Sequence, residues 1–263
     1  MSPDAPYTTR LQKGGALLDE MRQLMLHWSG GSGEAQRILT ENPLALPTRA
    51  RARDVIVRTF VPRFVKGDWP YLWRPLAVFE RNGASLEQVR PIHYLAAARS
   101  EPLVLDFVCD FLWPRYSSGR LVGGITSRDA AEFINSQPAD RFGGSRWTDT
   151  VTIKVARGLL AALRDFGVLE GRQRKTVHPA FLPVGSFAFI ACMLYQSFGS
   201  GDKLLHAHDW RLYLLLPESV ERLFFEAHQR KLLTYRAAGS VVQVEFPADS
   251  LEEYAHVILQ RQA

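Results

Sequence analysis

The chain has 263 residues, 46% of them apolar, and a formal net charge of +5. That apolar content excludes a disordered chain, and the length allows one to three compact units that each bury a core. Six Lys leave 26 Arg; guanidinium forks match phosphate oxygens, so the balance suits nucleic-acid contact, although a GC-rich genome produces the same bias.

The excess charge is uneven. From Gly201 onward seven Lys/Arg face nine Asp/Glu, which leaves the first 200 residues at +7. Any phosphate-binding surface is therefore expected in the first three-quarters of the chain. Cys109 and Cys192 each lie in a mostly apolar run, with no CxxC spacing, and read as buried reduced thiols. Met1-Ser2-Pro3-Asp4 opens no signal peptide, and the apolar run Phe187 to Tyr195 is under half the roughly 20 residues that span a bilayer. The expected location is the cytoplasm.

In chain order, Leu17 to Trp28 has apolar residues at helical spacing and stops at Ser29-Gly-Gly-Ser-Gly33. A short helix is expected from Glu34 to Thr40. Thr48 then offers a cap for the most basic helix of the chain, with Arg49, Arg51, Arg53, Arg58, Arg63 and Lys66 around Val55, Ile56, Val57, Phe60 and Phe64. Pro62 is expected to kink or end it. Trp69 to Phe79 is aromatic-rich, and Ser85-Leu-Glu-Gln88 matches a capping box. Ser100-Glu101-Pro102 starts a helix on which Asp106 and Asp110 stand one turn apart; a solvated face or an Arg salt bridge explains that pair better than acid/base chemistry. Residues 1–120 thus read as a helical bundle.

Ser117 to Gly124 reads as a linker, and Ser127 as the cap of a helix from Arg128 to Asn135. Pro138 to Gly144 makes a turn, and Val151 to Phe166 forms a second helix that buries Val151, Val155, Leu159, Leu163 and Phe166 and turns Lys154, Arg157 and Arg164 outward. Gly158 and Ala161 fall on the outward face, where small residues would let a phosphate backbone approach. Leu169 to Pro179 then carries Arg172-Gln173-Arg174-Lys175 as a basic wing. Residues 121–182 read as a winged helix-turn-helix; the bland alternative is an amphipathic helix with a solvated charged face. Residues 183–263 repeat the grammar: Asp209 as a cap for Trp210 to Leu215, a helix from Pro217 to Gln229, a hairpin around Ala237-Ala238-Gly239-Ser240, and a last helix, Leu251 to Gln260, capped by Asp249-Ser250. Glu218, Glu221 and Glu226 would repel phosphates, so this second winged unit is expected to bind protein. The fold class is mainly α, an N-terminal helical bundle followed by two winged-helix-like units with small β-hairpins.

Tyr7-Thr8-Thr9 with Gly14-Gly15-Ala16-Leu17-Leu18-Asp19-Glu20, then Leu163-Arg164-Asp165-Phe166-Gly167-Val168-Leu169, then Trp210-Arg211-Leu212-Tyr213, together resemble the BrxA family of BREX phage-defence systems. The resemblance implies a cytoplasmic, mostly helical protein with DNA-binding capacity, working beside the system's methyltransferase, phosphatase-like protein and ATPase. Family members are sometimes labelled inner-membrane proteins; no segment of this sequence is able to span a bilayer.

Nucleophile elbows, Walker loops, HExxH, paired CxxC and GxGxxG are all absent, so no enzyme activity, cofactor or small-molecule substrate is expected. His206-Ala-His208-Asp209 would need Cys192 or His228 nearby to hold zinc, and reads instead as linker histidines with a cap. The expected duplex contacts are Arg146, Thr148, Thr150, Lys154 and Arg157 near the groove, with Arg172, Arg174 and Lys175 on flanking phosphates. Arg49, Arg51, Arg53 and Arg58 form a second candidate contact, whose alternative is a charged face paired with Asp54 and Asp68. A protein-interaction adaptor and a binder of structured RNA remain the other readings, and the sequence does not separate them.

Overall fold

The computed structural model describes residues 5–120, 124–178, 181–239 and 241–262. Met1 to Asp4, Gly123 of the expected linker, Pro179 at the expected end of the wing and Ser240 of the expected hairpin turn lie outside them. The fold is mainly α with two small antiparallel hairpins.

Most helix ends follow local sequence rules. Leu18–His27 (α1) and Glu34–Glu41 (α2) flank the Gly/Ser break. Thr48 caps Arg49–Val55 (α3), its hydroxyl accepting from the Arg51 amide. The helix does not end at Pro62. It widens into a π segment, Ile56–Val65, and closes with the Lys66 amide on the Val61 carbonyl at 3.0 Å. Proline removes one donor and crowds the preceding turn, and a π bulge relieves that crowding without breaking the rod. Trp73–Arg81 (α4) is followed by Leu86–Ser100 (α5), which opens on the full Ser85/Gln88 capping box. Pro102–Asp106 (α6), a second π segment Phe107–Leu112, and Trp113–Ser117 (α7) run on as one rod.

Thr126, one residue before the expected Ser127, caps Ser127–Ser136 (α8) through a capping box with Asp129. Ala139–Phe142 is a 3-10 turn, and Asp149–Asp165 (α9) follows with Thr148 as its cap. Leu169–Glu170 (β1) and Thr176–Val177 (β2) pair antiparallel. The Ile125 and Lys175 backbones exchange two further hydrogen bonds, of 2.6 and 2.9 Å, so a third short stretch joins the hairpin. Val184–Phe198 (α10), Gly201–Leu205 (α11), Pro217–Gln229 (α12), the hairpin Thr234–Ala238 (β3) with Val241–Glu245 (β4), and Leu251–Gln262 (α13) complete the chain. Asp209 is not a cap. The 3-10 turn His208–Tyr213 has no side-chain cap, and the buried Asp209 carboxylate instead accepts from Arg99 Nε at 2.8 Å, as a buried charge requires a partner.

The core is built around α5 and α10, whose buried runs Ile92 to Ala98 and Val184 to Leu194 leave almost no exposed face. Ser186 Oγ donates to the Gln88 carbonyl at 2.7 Å, Tyr213 Oη to the Pro91 carbonyl at 2.9 Å, and Trp69 Nε1 to the Met193 carbonyl at 2.7 Å. With α13 packed on α4, one hydrophobic core crosses the positions where the sequence reading places its unit boundaries.

The residues before α1 form an arm, with a 3-10 turn at Arg10–Lys13, that lies along α9. Tyr7 and Leu11 are buried there. The Tyr7 amide donates to the Arg141 carbonyl at 2.6 Å, and Tyr7 Oη to Asp106 at 2.7 Å. Further along, the Ala16 amide donates to Asp165 at 3.2 Å. Between these points a Cβ on Gly158 would meet the Leu11 carbonyl oxygen at 1.9 Å. The outward small face of α9 therefore does not receive a phosphate backbone: the protein's own arm occupies it, and Gly158 is glycine because two peptide backbones touch there.

Gly158→Ala separates the two effects. An Ala gains about 1 kcal/mol of helix propensity but overpacks a backbone contact, which costs typically 1–3 kcal/mol and more when nothing flexible can yield. The expected outcome is a protein less stable by roughly 1–2 kcal/mol in urea unfolding; a stabilised variant would mean the arm is not seated on α9.

Candidate nucleic-acid interface

The arm divides α9 in two. It covers the helix from Gly158 to Asp165 and leaves the first turns bare, where Thr150, Lys154 and Arg157 are exposed. Neither Lys154 nor Arg157 has a hydrogen-bond or ion-pair partner among the described residues. Arg164, read as outward, is exposed but paired with Asp165 at 2.9 Å. Asp149, on the first turn, complements the helix dipole yet repels phosphates, so a polyanion on this end must be held by the cations further along.

The residues before α9 hold the turn. Arg146 donates to the Asn135 and Gln137 carbonyls, both at 2.8 Å, and stacks its guanidinium 5.2 Å from the Phe142 ring centroid. It therefore satisfies orphan carbonyls at the end of α8. Thr148 accepts from the Val151 amide at 3.4 Å, a capping role. Both side chains remain exposed. Sequence reasoning missed the residues that clamp this region from afar: Asp106 takes both the Tyr7 hydroxyl and Arg141, and Arg141 lies over the Tyr7 ring. The expected choice between a solvated face and an Arg salt bridge resolves to the salt bridge for Asp106. Burial and the Asp106 carboxylate push the Tyr7 hydroxyl far above its ordinary range, so it stays a donor at any working pH.

In the hairpin, Arg172 and Arg174 are exposed and unpartnered among the described residues, at the tip of a five-residue loop. Gly171 has φ +95°, and a Cβ there would sit 2.6 Å from the Arg174 carbonyl, so the tight loop needs glycine. Lys175 differs from the expectation that it faces a phosphate. It is 8% exposed, its ammonium folds back onto the Arg172 carbonyl, and burial with the nearby Arg164 charge lowers its pKa. Its backbone pairs with Ile125, which forces the side chain inward and ties the loop closed.

The basic helix is also mixed. Arg49 and Arg53 are exposed and unpartnered among the described residues. Arg51 reaches the Lys13 carbonyl at 2.7 Å and Glu20 at 3.3 Å, and Arg58 pairs with Asp54 at 2.8 Å. The alternative reading of a face paired with Asp54 thus holds for Arg58, while Asp68 sits 3.6 Å from Arg99. Arg63 is buried.

Burial pushes both thiols up, Cys192 to about 12, so neither is a ready nucleophile. Among the described residues no three His, Cys, Asp or Glu side chains gather where a metal ion would fit, and no helix is long and apolar enough to cross a membrane.

These features describe a mainly helical scaffold that leaves one basic helix end and one basic hairpin tip uncovered. A family model named BrxA matches residues 5–192, and the chain belongs to the BrxA family. Membership makes it a BREX phage-defence component. No curated protein and no solved structure matches the chain.

Asp106→Asn tests the clamp. It removes the charge that Arg141 and Tyr7 share, and losing a charge-assisted contact of this kind costs about 1–3 kcal/mol. The expected outcome is a drop of that size in unfolding free energy; an unchanged value would mean the contact does not anchor the arm.

Proposed function

We propose that the protein is a non-catalytic, cytoplasmic DNA-binding component of its BREX system, with α8 and α9 as a helix-turn-helix and β1–β2 as its wing. The open start of α9 enters the groove through Thr150, Lys154 and Arg157, while Arg172 and Arg174 sit on flanking phosphates. Arg146 and Thr148 set the angle of entry. The observation that carries this reading is selective pairing. Most other cations near the arm are neutralised or turned onto carbonyls, whereas Lys154, Arg157, Arg172 and Arg174 are exposed without partners among the described residues. Distance favours it too. Seventeen residues at about 1.5 Å each span about 25 Å, so both ends of α9 fall within one turn of a duplex, roughly 34 Å. Arg49 and Arg53 are an auxiliary phosphate contact.

Docking to the system's methyltransferase, phosphatase-like protein or ATPase belongs to the acidic C-terminal part. Its exposed Leu216, Phe225 and Val241, at 43%, 48% and 67% exposure, favour a protein partner there over a polyanion.

Replacing Arg172 and Arg174 together by Ala removes two phosphate contacts, so the slope of log affinity against log salt should flatten by about 2. Lys175→Met should leave that slope unchanged. Anisotropy titrations with duplex DNA and with a structured RNA measure both. An unaltered slope in the double variant removes the hairpin from the interface, and stronger RNA than DNA binding overturns the choice of ligand.

A further inference from the structure

A cleft that the duplex reading leaves unused opens between the arm and the basic helix. A space of about 80 Å³ there is lined by Arg10, Lys13, Arg51, Arg58 and Arg63. Two carboxylates share the lining, Asp54 and Glu101. Asp54 takes Lys13 at 2.9 Å and Arg58 at 2.8 Å. Glu101 takes Arg10 at 3.1 Å and the Thr8 hydroxyl at 2.6 Å. Five cations against two carboxylates leave the lining at about +3.

The excess rests on Arg51 and Arg63. Arg51 has only the 3.3 Å reach to Glu20, outside the lining, and its other nitrogen is on the Lys13 carbonyl. Arg63 is 6% exposed; Nη1 donates to the Ala16 carbonyl at 2.9 Å, and the buried Nε has no partner among the described residues. Orphaned buried N–H groups are rare in folded proteins, and each asks for an acceptor. Burial holds the Arg63 pKa down to about 10; Glu101 partly offsets that and Arg10 adds to it, so the one nearby carboxylate, which Arg10 shares, does not fully compensate the buried charge.

We propose that this cleft binds a phosphate monoester, its oxygens accepting from Arg63 Nε and the Arg51 fork. A dianion offsets more of the excess than a carboxylate does, and guanidinium forks match phosphate geometry. A space of about 80 Å³ takes the phosphate group itself, so any attached group extends out of the cleft. The ligand would also tie the arm to the basic helix, and the arm in turn rests on α9. A free small molecule and the 5′-phosphate of a DNA end share this chemistry.

The test uses the full chain, thermal unfolding and calorimetry, with AMP and inorganic phosphate as probes and chloride at matched ionic strength as control. Wild type should show a saturable upward shift of Tm with AMP beyond chloride. Arg51→Gln should weaken AMP affinity at least tenfold, and Arg58→Gln should weaken it less; Arg222→Gln, on α12 outside the cleft, should leave it unchanged. No saturable shift in wild type, or equal affinity in Arg51→Gln, overturns the proposal. A 5′-phosphorylated duplex compared with its 5′-hydroxyl form separates the sources: preference for the phosphorylated end, lost in Arg51→Gln, assigns the site to DNA ends, and equal binding assigns it to small molecules. Because AMP binding is read without DNA, its failure leaves the salt-slope result on Arg172 and Arg174 standing.

Discussion

Contact between two backbones, the Leu11 carbonyl and the Gly158 position of α9, sets what the rest of the molecule can do. It fixes the arm along the second half of the helix and withdraws that half from any ligand. The clamps at either end then follow. Tyr7, Arg141 and Asp106 secure the arm where α8 turns toward α9, and Asp165 secures it where α9 ends. What stays open is the start of the helix and the loop beyond its end, where Lys154, Arg157, Arg172 and Arg174 stand exposed without hydrogen-bond or ion-pair partners among the described residues. The same arm walls one side of the Arg51/Arg63 cleft, so a polyanion surface and a small-anion site share one structural element.

Legibility in the sequence tracks how local the cause is. The capping box at Ser85, the Thr48 cap, the Gly/Ser break after α1 and the two hairpins depend on residues within a few positions, and pattern alone locates them to within a residue or two; the cap of α8 falls on Thr126, one residue before the Ser127 that pattern favours, and Thr148, read as a groove contact, caps α9. Pro62 shows the limit, because proline chemistry excludes a regular turn without choosing between a break and a π bulge. Gly158 shows a stronger one. Its outward position was readable from helical period, but the group filling that face lies 147 residues earlier and left no local mark.

The candidate site divides the same way. Exposed cations at Lys154, Arg157, Arg172 and Arg174 fall where amphipathic period and loop position put them. Lys175 does not, because its backbone pairing with Ile125, across fifty residues, decides which way it faces. Asp209 is the parallel case: its helix-start position suggested a cap, and a distant Arg99 claimed it. Charge type is written in the sequence, whereas charge pairing is a property of the fold. Family membership was legible from ordered structural signatures, which the match over residues 5–192 bears out.

The central claim, that a duplex meets the uncovered start of α9 and the hairpin tip, is tested most directly by hydrogen exchange on the full chain with and without saturating duplex. The account predicts added protection at residues 149–157 and 171–174, with the α12 region unaffected. Protection confined to residues 217–262, or none at the α9 start and the hairpin while the duplex is bound, would contradict it.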